Sequence, residues 1–481
     1  MPILLKKFEF WLNNFFVGLG VLILVLVLLG DRSLPHVVSV NLPEKINPAE
    51  QRFIKVDFSR LMDRKSVEDS FQVKPDVSGK FSWSGKSLVF TLDESLSYGQ
   101  TYWLEIGKEA KSQDGKELMV DYSQTLRIDD LKMAYLSGTG PDRGKIVVTD
   151  VLGRVVKTFT NGNYKIEQFV VSPDKQKIYF LGALAKTQLE LFEIEFQTGK
   201  IKQISNDANY LNKSFILSDD GKYLAMGRVK ISPTDDLLSR VEVWLANTED
   251  FKFSRFKDGQ AQGLDMAFSP GGMYLLYRNA DSNFELSKTI VKDDEQDETL
   301  FVGEYSSNFG FHPYLPKIAF SQYDQQDVFS MNNNLIVFSG DGDKKQVDLP
   351  KGVVRNMVFS QNGRFAVILF SREADSLTTG DSLSETRLFH LYKYDFLTEK
   401  LTALTSDDGY SEISAELSLD SRHLVFERVL ATEENLVDPA FRKVQENVGG
   451  KSFDSELWMM DLETGKIKDL KVDGEQVKFL P

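Results

Sequence analysis

Hydrophobic and polar residues alternate along four short segments in the first third of the chain. Residues 52–58, 80–83, 87–91 and 101–106 each place apolar side chains at every second position. A period of two is the signature of a β-strand with one buried face. Turn-forming residues separate these segments, so the pattern predicts a β-sandwich over residues 34–128.

A longer pattern repeats through residues 129–481. A strand-like run ends at a short polar turn and a second apolar run follows, as in residues 169–171, the turn Ser172-Pro173-Asp174, and residues 177–180. The residues that end the first run are Ser172, Ser218, Ser269, His312, Ser360 and Ser418. Their spacing of 43 to 58 residues suits a four-stranded propeller blade, which takes about 40 to 50 residues plus insertions.

The two ends of this array complement one another. Residues 133–156 contain three strand-like runs without the first strand of a repeat, whereas residues 476–481 form a first-type strand with nothing after it. The turns at Gly199 and Gly465 join a third to a fourth strand, because glycine accepts the positive φ of a tight hairpin. We expect the last strand to join the first blade and close a ring of seven, which removes exposed sheet edges.

The first region resembles a known family. The residues that carry the resemblance are Val56 to Asp63, Ser66, Val67, Phe71, Phe81 to Trp83, Leu96 to Tyr102, and Asp114-Gly115. They make residues 34–128 similar to the bacterial Ig-like domain of S-layer and other envelope proteins. This resemblance implies a spacer or adhesive module, in which Trp83 and Trp103 pack in the core.

The repeats are similar to the WD40-like propeller repeats of the TolB type over about residues 131–481. Pro173 and Pro270 keep the proline of the Ser-Pro-Asp-Gly signature, and Pro313 follows His312. Together with a transmembrane helix predicted from hydropathy, the two resemblances imply an all-β protein: an N-terminal transmembrane helix, an Ig-like β-sandwich, and a seven-bladed β-propeller closed by the C-terminal strand.

The transmembrane helix is expected from residues 15–29, which carry no polar side chain. With residues 11–14 the segment approaches the roughly 20 residues that cross about 30 Å of hydrocarbon. Lys6 and Lys7 precede it, so the positive-inside rule predicts a cytoplasmic N-terminus. Residues 1–33 would then be a cytoplasmic stub and signal anchor of a single-pass cell-membrane protein with extracytoplasmic C-terminal domains. A cleaved signal peptide or a buried helix are the alternatives.

The amino-acid composition excludes several kinds of functional site. The chain has 481 residues, no Cys and four His, which removes disulfides, thiolate metal sites and cysteine nucleophiles. A net charge of -14 argues against nucleic-acid binding. We expect no cofactor and no metal.

Local motifs for catalysis or ion binding are weak. Gly85-Lys86-Ser87 and Gly450-Lys451-Ser452 lack the first glycine of a phosphate-binding loop, since Lys80 and Gln445 stand there. The turn residues Asp174, Asp219, Asp220 and Asp420 are interpreted as caps of their own turns, with calcium ligation as the alternative. His312 is expected to pack beside Pro313 in place of the usual serine. The protein is therefore not expected to be an enzyme.

Insertions between the second and third strands are more informative. They span residues 227–240, 321–333, 371–386 and 427–455, and in a four-stranded blade this connection lies on the face that links one blade to the next. We expect a binding face there, because loops on a rigid scaffold commonly carry recognition; length drift on a tolerant surface is the alternative. Its candidate residues are Asp235, Asp236, Tyr323, Asp324, Asp375, Asp381, Asp438, Phe441 and Arg442.

These observations favour a membrane-tethered extracytoplasmic binding scaffold that recognises a protein, a peptide or a cell-wall polymer. One alternative is a propeller-based hydrolase or lyase, because carboxylate pairs from different blades can meet in a central cleft. The other is a structural envelope component in which the Ig-like part carries the association.

Overall fold

The protein is mostly β-structure in a computed structural model. Its described residues are 14–21, 34–42, 45–46, 52–94, 96–160, 163–184, 188–231, 240–259, 261–279, 284–289, 299–303, 306–313, 317–323, 332–339, 343–372, 376–377, 386–431 and 455–480. Two compact parts divide the chain. The first comprises Met1–Ile46, Arg52–Asp93 and Thr101–Arg127; the second comprises Asn47–Gln51, Glu94–Gln100 and Ile128–Pro481.

The predicted membrane anchor is corrected by the structure. Among the described residues, no helix is both long and apolar enough to cross a membrane. The helical residues described near the N-terminus are 14–21. The predicted signal anchor, and the cell-membrane localisation and cytoplasmic N-terminus that followed from it, are therefore wrong.

The first compact part is built from two four-stranded antiparallel sheets. Its elements are β1 (Val37–Val40), β2 (Lys45–Ile46), β3 (Phe53–Phe58), α1 (Arg64–Ser70), β4 (Phe71–Lys74), β5 (Gly79–Ser84), β6 (Ser87–Leu92), β7 (Thr101–Ile106) and β8 (Tyr122–Ile128). The sheets have the strand orders β1-β3-β6-β5 and β2-β8-β7-β4. Asp63 is the N-cap of helix α1, and its side chain accepts a 2.8 Å hydrogen bond from the Ser66 amide.

The alternation of buried and exposed side chains along β7 follows the sequence pattern and determines which way Trp103 points. Tyr102 and Leu104 are buried, so the intervening Trp103 points outward and is 44% exposed. The expectation that Trp103 is a core residue is therefore wrong, because successive side chains of a strand face opposite sides. Trp83 is half-buried; its ring stacks on Phe58 at 6.2 Å and its Nε1 donates to Glu68 at 2.8 Å.

The second compact part repeats a four-strand antiparallel motif. The strands are β9 (Lys132–Ser137), β10 (Ile146–Asp150), β11 (Val155–Phe159), β12 (Tyr164–Val171), β13 (Lys177–Leu184), β14 (Glu190–Glu195), β15 (Ile201–Gln203), β16 (Tyr210–Leu217), β17 (Tyr223–Lys230), β18 (Val241–Asn247), β19 (Ser254–Arg255), β20 (Gln262–Phe268), β21 (Tyr274–Arg278), β22 (Phe284–Lys288), β23 (Thr299–Gly303), β24 (Ser306–Phe311), β25 (Lys317–Tyr323), β26 (Asn333–Ser339) and β27 (Lys344–Gln346). The array continues with β28 (Gly352–Phe359), β29 (Phe365–Arg372), β30 (Ser376–Leu377), β31 (Thr386–Arg387), β32 (His390–Asp395), β33 (Lys400–Ala403), β34 (Tyr410–Leu417), β35 (His423–Leu430), β36 (Glu456–Asp461) and β37 (Ile467–Phe479).

We number the motifs by their strands. Motif 1 is β9–β11 with the end of β37, motif 2 is β12–β15, motif 3 is β16–β19, motif 4 is β20–β23, motif 5 is β24–β27, motif 6 is β28, β29, β32 and β33, and motif 7 is β34–β36 with the start of β37. Strand β37 pairs with β36 over residues 467–473 and with β9 over residues 474–479. The predicted pairing of the C-terminal strand with the first motif is thus present.

Serine caps the turn between the first and second strands of five motifs. Ser172, for example, accepts a 2.9 Å bond from the Lys177 amide and donates to Asp174 at 2.6 Å. The same serine-to-amide bond recurs at Ser218, Ser269, Ser360 and Ser418. Asp174, Asp220 and Asp420 accept from these serines, whereas Asp219 accepts from the Gly271 amide of the next motif at 2.7 Å.

The motifs pack face to face in sequence order. Ile178 and Phe180 of β13 pack against motif 1, and Tyr179 and Leu181 of the same strand pack against motif 3, because alternate side chains leave opposite faces. Seven clusters of buried side chains among the described residues join motifs 1–2, 2–3, 3–4, 4–5, 5–6, 6–7 and 7–1. The order of packing therefore returns to its starting point.

Candidate binding face

The structure does not place most of the candidate residues in the insertions. Asp235, Asp236, Asp324, Asp375, Asp381, Asp438, Phe441 and Arg442 lie outside the described residues. Tyr323 is the last residue of β25 and its backbone pairs with Asn333. The structure does describe the strand ends from which the insertions leave, and these ends carry a pattern that the sequence analysis missed.

Two of the insertions begin beside the turns that link one motif to the next. The amide of Ile231, which follows β17, donates to the Asn209 carbonyl at 2.8 Å. The amide of Ala431, which follows β35, donates to the Gly409 carbonyl at 2.9 Å. We call this end of the strands the insertion edge. A third insertion includes the short antiparallel pair β30–β31.

A buried arginine lies under the first of these stems. Arg228, 4% exposed, donates from Nε to Asn212 at 3.2 Å and from a terminal nitrogen to Asp207 at 3.0 Å. Its guanidinium lies 4.7 Å from the ring centre of Tyr210 and 5.0 Å from that of Trp244. Stacking on aromatic rings and a forked hydrogen-bond pattern hold an arginine in one orientation. We call this group the Arg228 cluster.

Neutral and acidic groups behind Arg228 complete its hydrogen bonding. Asn212 donates to the Leu189 carbonyl at 2.8 Å and to Glu190 at 3.0 Å. Ser205 also donates to Glu190. The Asp207 carboxyl is partly exposed, and hydrogen bonds from the Asn209 backbone, followed by the charge of Arg228, lower its pKa. Asp207 therefore stays ionised and keeps its arginine partner at neutral pH.

A second buried arginine occupies the corresponding place under the other stem. Arg428, 5% exposed, lies 4.2 Å from the ring centre of Tyr410 and 5.1 Å from that of Trp458. A terminal nitrogen lies 3.5 Å from Asp407. Its Nε lies 3.2 Å from Oε1 of Glu412, near enough for an ion pair but without the alignment of a hydrogen bond. We call this group the Arg428 cluster.

Two polar residues differ between the clusters. Glu412 takes the place of Asn212, and His390 takes the place of Glu190. Glu412 and His390 are 1% and 2% exposed, and their side chains meet at 3.0 Å through Oε2 and Nδ1. His390 Nε2 is buried, has no hydrogen-bond partner among the described residues, and lies 3.8 Å from the exposed Asp408. This cluster therefore places a buried carboxylate directly beside its arginine, and it is the less completely hydrogen-bonded of the two.

The two clusters share one numbering offset. Glu190 and His390, Asp207 and Asp407, Tyr210 and Tyr410, Asn212 and Glu412, and Arg228 and Arg428 are each 200 positions apart. Strands β14 to β17 therefore match strands β32 to β35 without a gap in the numbering. Comparing the repeats residue by residue, rather than only at their serine turns, would have found this signal. In the described residues, no group of three or more His, Cys, Asp or Glu side chains could hold a metal ion.

Three solved structures resemble this chain over 62% to 93% of its length. TolB from Acinetobacter baumannii is 12% identical with a TM-score of 0.40, over 86% of this chain and 83% of that chain. Oligogalacturonate lyase from Vibrio parahaemolyticus is 11% identical with a TM-score of 0.41, over 62% of this chain and 87% of that chain. A puromycin-hydrolyzing peptidase from Mycobacterium tuberculosis is 10% identical with a TM-score of 0.46, over 93% of this chain and 57% of that chain.

At these identities and TM-scores the three structures assign no activity to this chain. No curated protein matches its sequence. The bacterial Ig-like domain family matches residues 31–127, the region in which two four-stranded sheets lie. The family comparison therefore identifies residues 31–127 as similar to a bacterial Ig-like domain.

Proposed function

We propose that residues 129–481 form a seven-bladed β-propeller and that the protein is a binding scaffold, not an enzyme. Two observations support the propeller. The seven motifs each have four antiparallel strands, and each motif packs on the next until motif 7 shares β37 with motif 1. Sharing a strand between the last and first blades is a common means of closing such a ring, because it leaves no open edge.

The binding face of this scaffold is the insertion edge. The observation that carries the proposal is the pair of buried arginine clusters directly under two insertion stems. Each cluster ties the end of a second strand to the turn that enters the same motif, so the insertion leaves from a fixed platform. Loops on rigid supports combine variable sequence with low ordering cost, which suits recognition.

The partner we propose is a protein, a peptide or a cell-wall polymer. The candidate residues Asp235, Asp236, Asp438, Phe441 and Arg442 combine carboxylates, an aromatic ring and a guanidinium. Carboxylates accept hydrogen bonds from sugar hydroxyls and basic side chains, and aromatic rings stack on flat apolar surfaces. An extended ligand that crosses several insertions would use all three kinds of group.

The alternative reaction, hydrolysis or lysis by paired carboxylates, finds little support. Burial raises the pKa of Glu427, but one of its oxygens accepts from the Val477 amide at 3.3 Å. Glu416 is paired with Lys478 at 2.7 Å. Both carboxylates thus serve contacts within the chain, and we propose no reaction.

A binding assay with a shortened insertion tests the proposal. The full chain is incubated with purified peptidoglycan and, separately, with an immobilised envelope-protein fraction, and retention is measured for each. Replacing residues 432–454 with a short Gly-Ser linker should reduce retention by at least about tenfold on the ligand class that is recognised.

The matched control changes the opposite ends of the strands. Thr198-Gly199-Lys200, the turn between β14 and β15, is replaced by Gly-Asn-Gly and should leave retention unchanged. Equal retention of the two variants, or no retention of the unmodified chain on either material, would overturn the proposal.

A further inference from the structure

A cleft lies between motifs 5 and 6, at the ends of the strands opposite to the insertion edge. Its volume is about 330 Å³, at the small end of the range for ligand pockets. Side chains that line it include His312, Lys317, Phe359, Arg364, Tyr394 and Phe396. The size suits one residue-sized ligand and not a polymer, so this cleft is separate from the proposed binding face. We call it the His312 cleft.

The cleft lies beside the turn in which motif 5 lacks the serine of five other motifs. Five motifs have a serine that accepts the amide of the residue five positions on, and motif 5 has His312 instead. His312 reaches across to motif 6, where Nε2 lies 3.1 Å from the Gly363 carbonyl oxygen. Gly363 has a φ of +67°, and a Cβ there would lie 2.0 Å from His312 Nε2. Only glycine permits this approach.

Aromatic rings form the floor. The ring of His312 meets Phe359 edge-on at 5.7 Å, and Phe359 stacks on Phe396 at 5.4 Å with an interplanar angle of 9°. Tyr394 packs against Phe396 at 5.1 Å. Leu397 stands at the lip and is 78% exposed. An apolar or aromatic group would replace water over these rings and over Leu397, which is favourable in proportion to the area covered.

The rim carries excess positive charge. Lys345 pairs with Glu399, and Arg364 Nε lies 3.4 Å from Asp395. Lys317 has no ion-pair partner among the described residues. Burial, followed by the charge of Lys317, lowers the pKa of His312, so this ring is neutral at pH 7 and adds apolar surface to the floor. A cationic rim is unusual for a chain with a net charge of -14, and it would attract an anion locally.

We propose that the His312 cleft binds a compact carboxylate that carries one aromatic ring. The ring lies on the Phe359 and Phe396 floor, and the carboxylate lies at the rim between Lys317 and Arg364. The same chemistry is offered by a free aromatic acid and by the C-terminal residue of a peptide. This site is independent of the insertion edge, so it stands or fails separately from the proposed function.

Calorimetric titration of the full chain tests the site with matched probes. N-acetyl-L-phenylalanine should bind at least about tenfold more tightly than N-acetyl-L-phenylalaninamide, which has the same ring and no charge. The substitutions Lys317→Gln and Arg364→Gln together should remove that preference. Lys200→Gln, in the turn between the third and fourth strands of motif 2, removes a lysine charge away from the cleft and should preserve the preference.

A second pair of probes separates the two sources. If Ala-Ala-Ala-Phe with a free carboxylate binds as tightly as the acetylated amino acid, the site takes a peptide end; if it binds at least about tenfold more weakly, the site takes a free acid. Equal affinity for N-acetyl-L-phenylalanine and its amide, no binding of either, or an unchanged preference in the Lys317 and Arg364 variant would overturn the proposal.

Discussion

The Arg228 and Arg428 clusters have the same arrangement of side chains around the arginine but differ in the polar residue that lies beside it. Both hold an arginine between a tyrosine and a tryptophan under an insertion stem. Behind Arg228 is the neutral amide of Asn212, whereas behind Arg428 is the carboxylate of Glu412, itself joined to His390. The two copies therefore have the same arrangement of arginine and aromatic rings but a different residue beside the arginine, and they should respond differently to the same substitution.

The largest expected difference comes from removing each arginine. Arg428→Met leaves the Glu412 carboxylate buried without its cation, which typically costs about 3–5 kcal/mol. Arg228→Met leaves an amide and a half-exposed Asp207, so we expect a loss of about 1–3 kcal/mol. Urea unfolding followed by tryptophan fluorescence measures both. Equal losses would show that the charge behind the arginine does not matter.

Exchanging the residues behind the arginine sharpens the comparison. Glu412→Asn alone takes away the acceptor of His390 and should cost about 2 kcal/mol, as does loss of a buried hydrogen bond to a charged group. Adding His390→Glu recreates the Glu190 and Asn212 pair, with Thr405 in the place of Ser205. The double variant should recover at least about 1 kcal/mol, a coupling expected of residues in contact. Strictly additive losses in the double-mutant cycle would contradict this.

A third difference lies one position before each arginine. Gly227 packs so closely on Gly263 that a Cβ would lie 2.2 Å from its carbonyl oxygen, whereas Glu427 reaches the Val477 amide of β37. Burial raises the pKa of Glu427 above its unfolded value. The folded state therefore binds this proton more tightly, and its contribution to stability is lost as the pH rises from the unfolded pKa through the folded one.

Glu427→Gln should accordingly match the parent protein in acid and become relatively more stable as the pH rises above the unfolded pKa of a glutamate. Its amide oxygen can still accept from Val477. Urea midpoints measured across a pH series give the result. Glu427→Ala is the control, because it removes the acceptor and should destabilise the protein at every pH. A pH-independent difference between Glu427→Gln and the parent would count against a buried ionised carboxyl.

The smallest expected effect concerns the two tryptophans. Trp458 Nε1 donates to Glu456 at 3.0 Å, whereas the buried Nε1 of Trp244 has no hydrogen-bond partner among the residues that the structure describes. Trp458→Phe should cost about 0.5–1.5 kcal/mol for the lost hydrogen bond. Trp244→Phe should cost less, since a phenyl ring keeps part of the stacking and removes an unsatisfied donor. Thermal midpoints of the two variants provide the test, and a larger loss for Trp244→Phe would reverse the expected order.

Local pattern predicted much of the architecture correctly. The alternation of residues 52–58 and 101–106 predicted β3 and β7, and the serine turns predicted the first two strands of five motifs, as in motif 2. The pairing of residues 476–479 with the first motif followed from counting what each end of the array lacked. These features are readable because a strand repeats every two residues and a turn needs particular side chains at fixed offsets.

The sequence by itself determined the strands, the turns and the number of repeats, because each depends on residues that are neighbours in the chain. Tertiary structure alone decided that Glu412 meets both Arg428 and His390, that Trp103 faces outward, and that His312 lies in a cleft beside Phe359. It also overturned the membrane anchor that hydropathy had suggested. Such outcomes depend on strand register and on which motif packs against which, and a one-dimensional pattern does not record contacts between residues far apart in the chain.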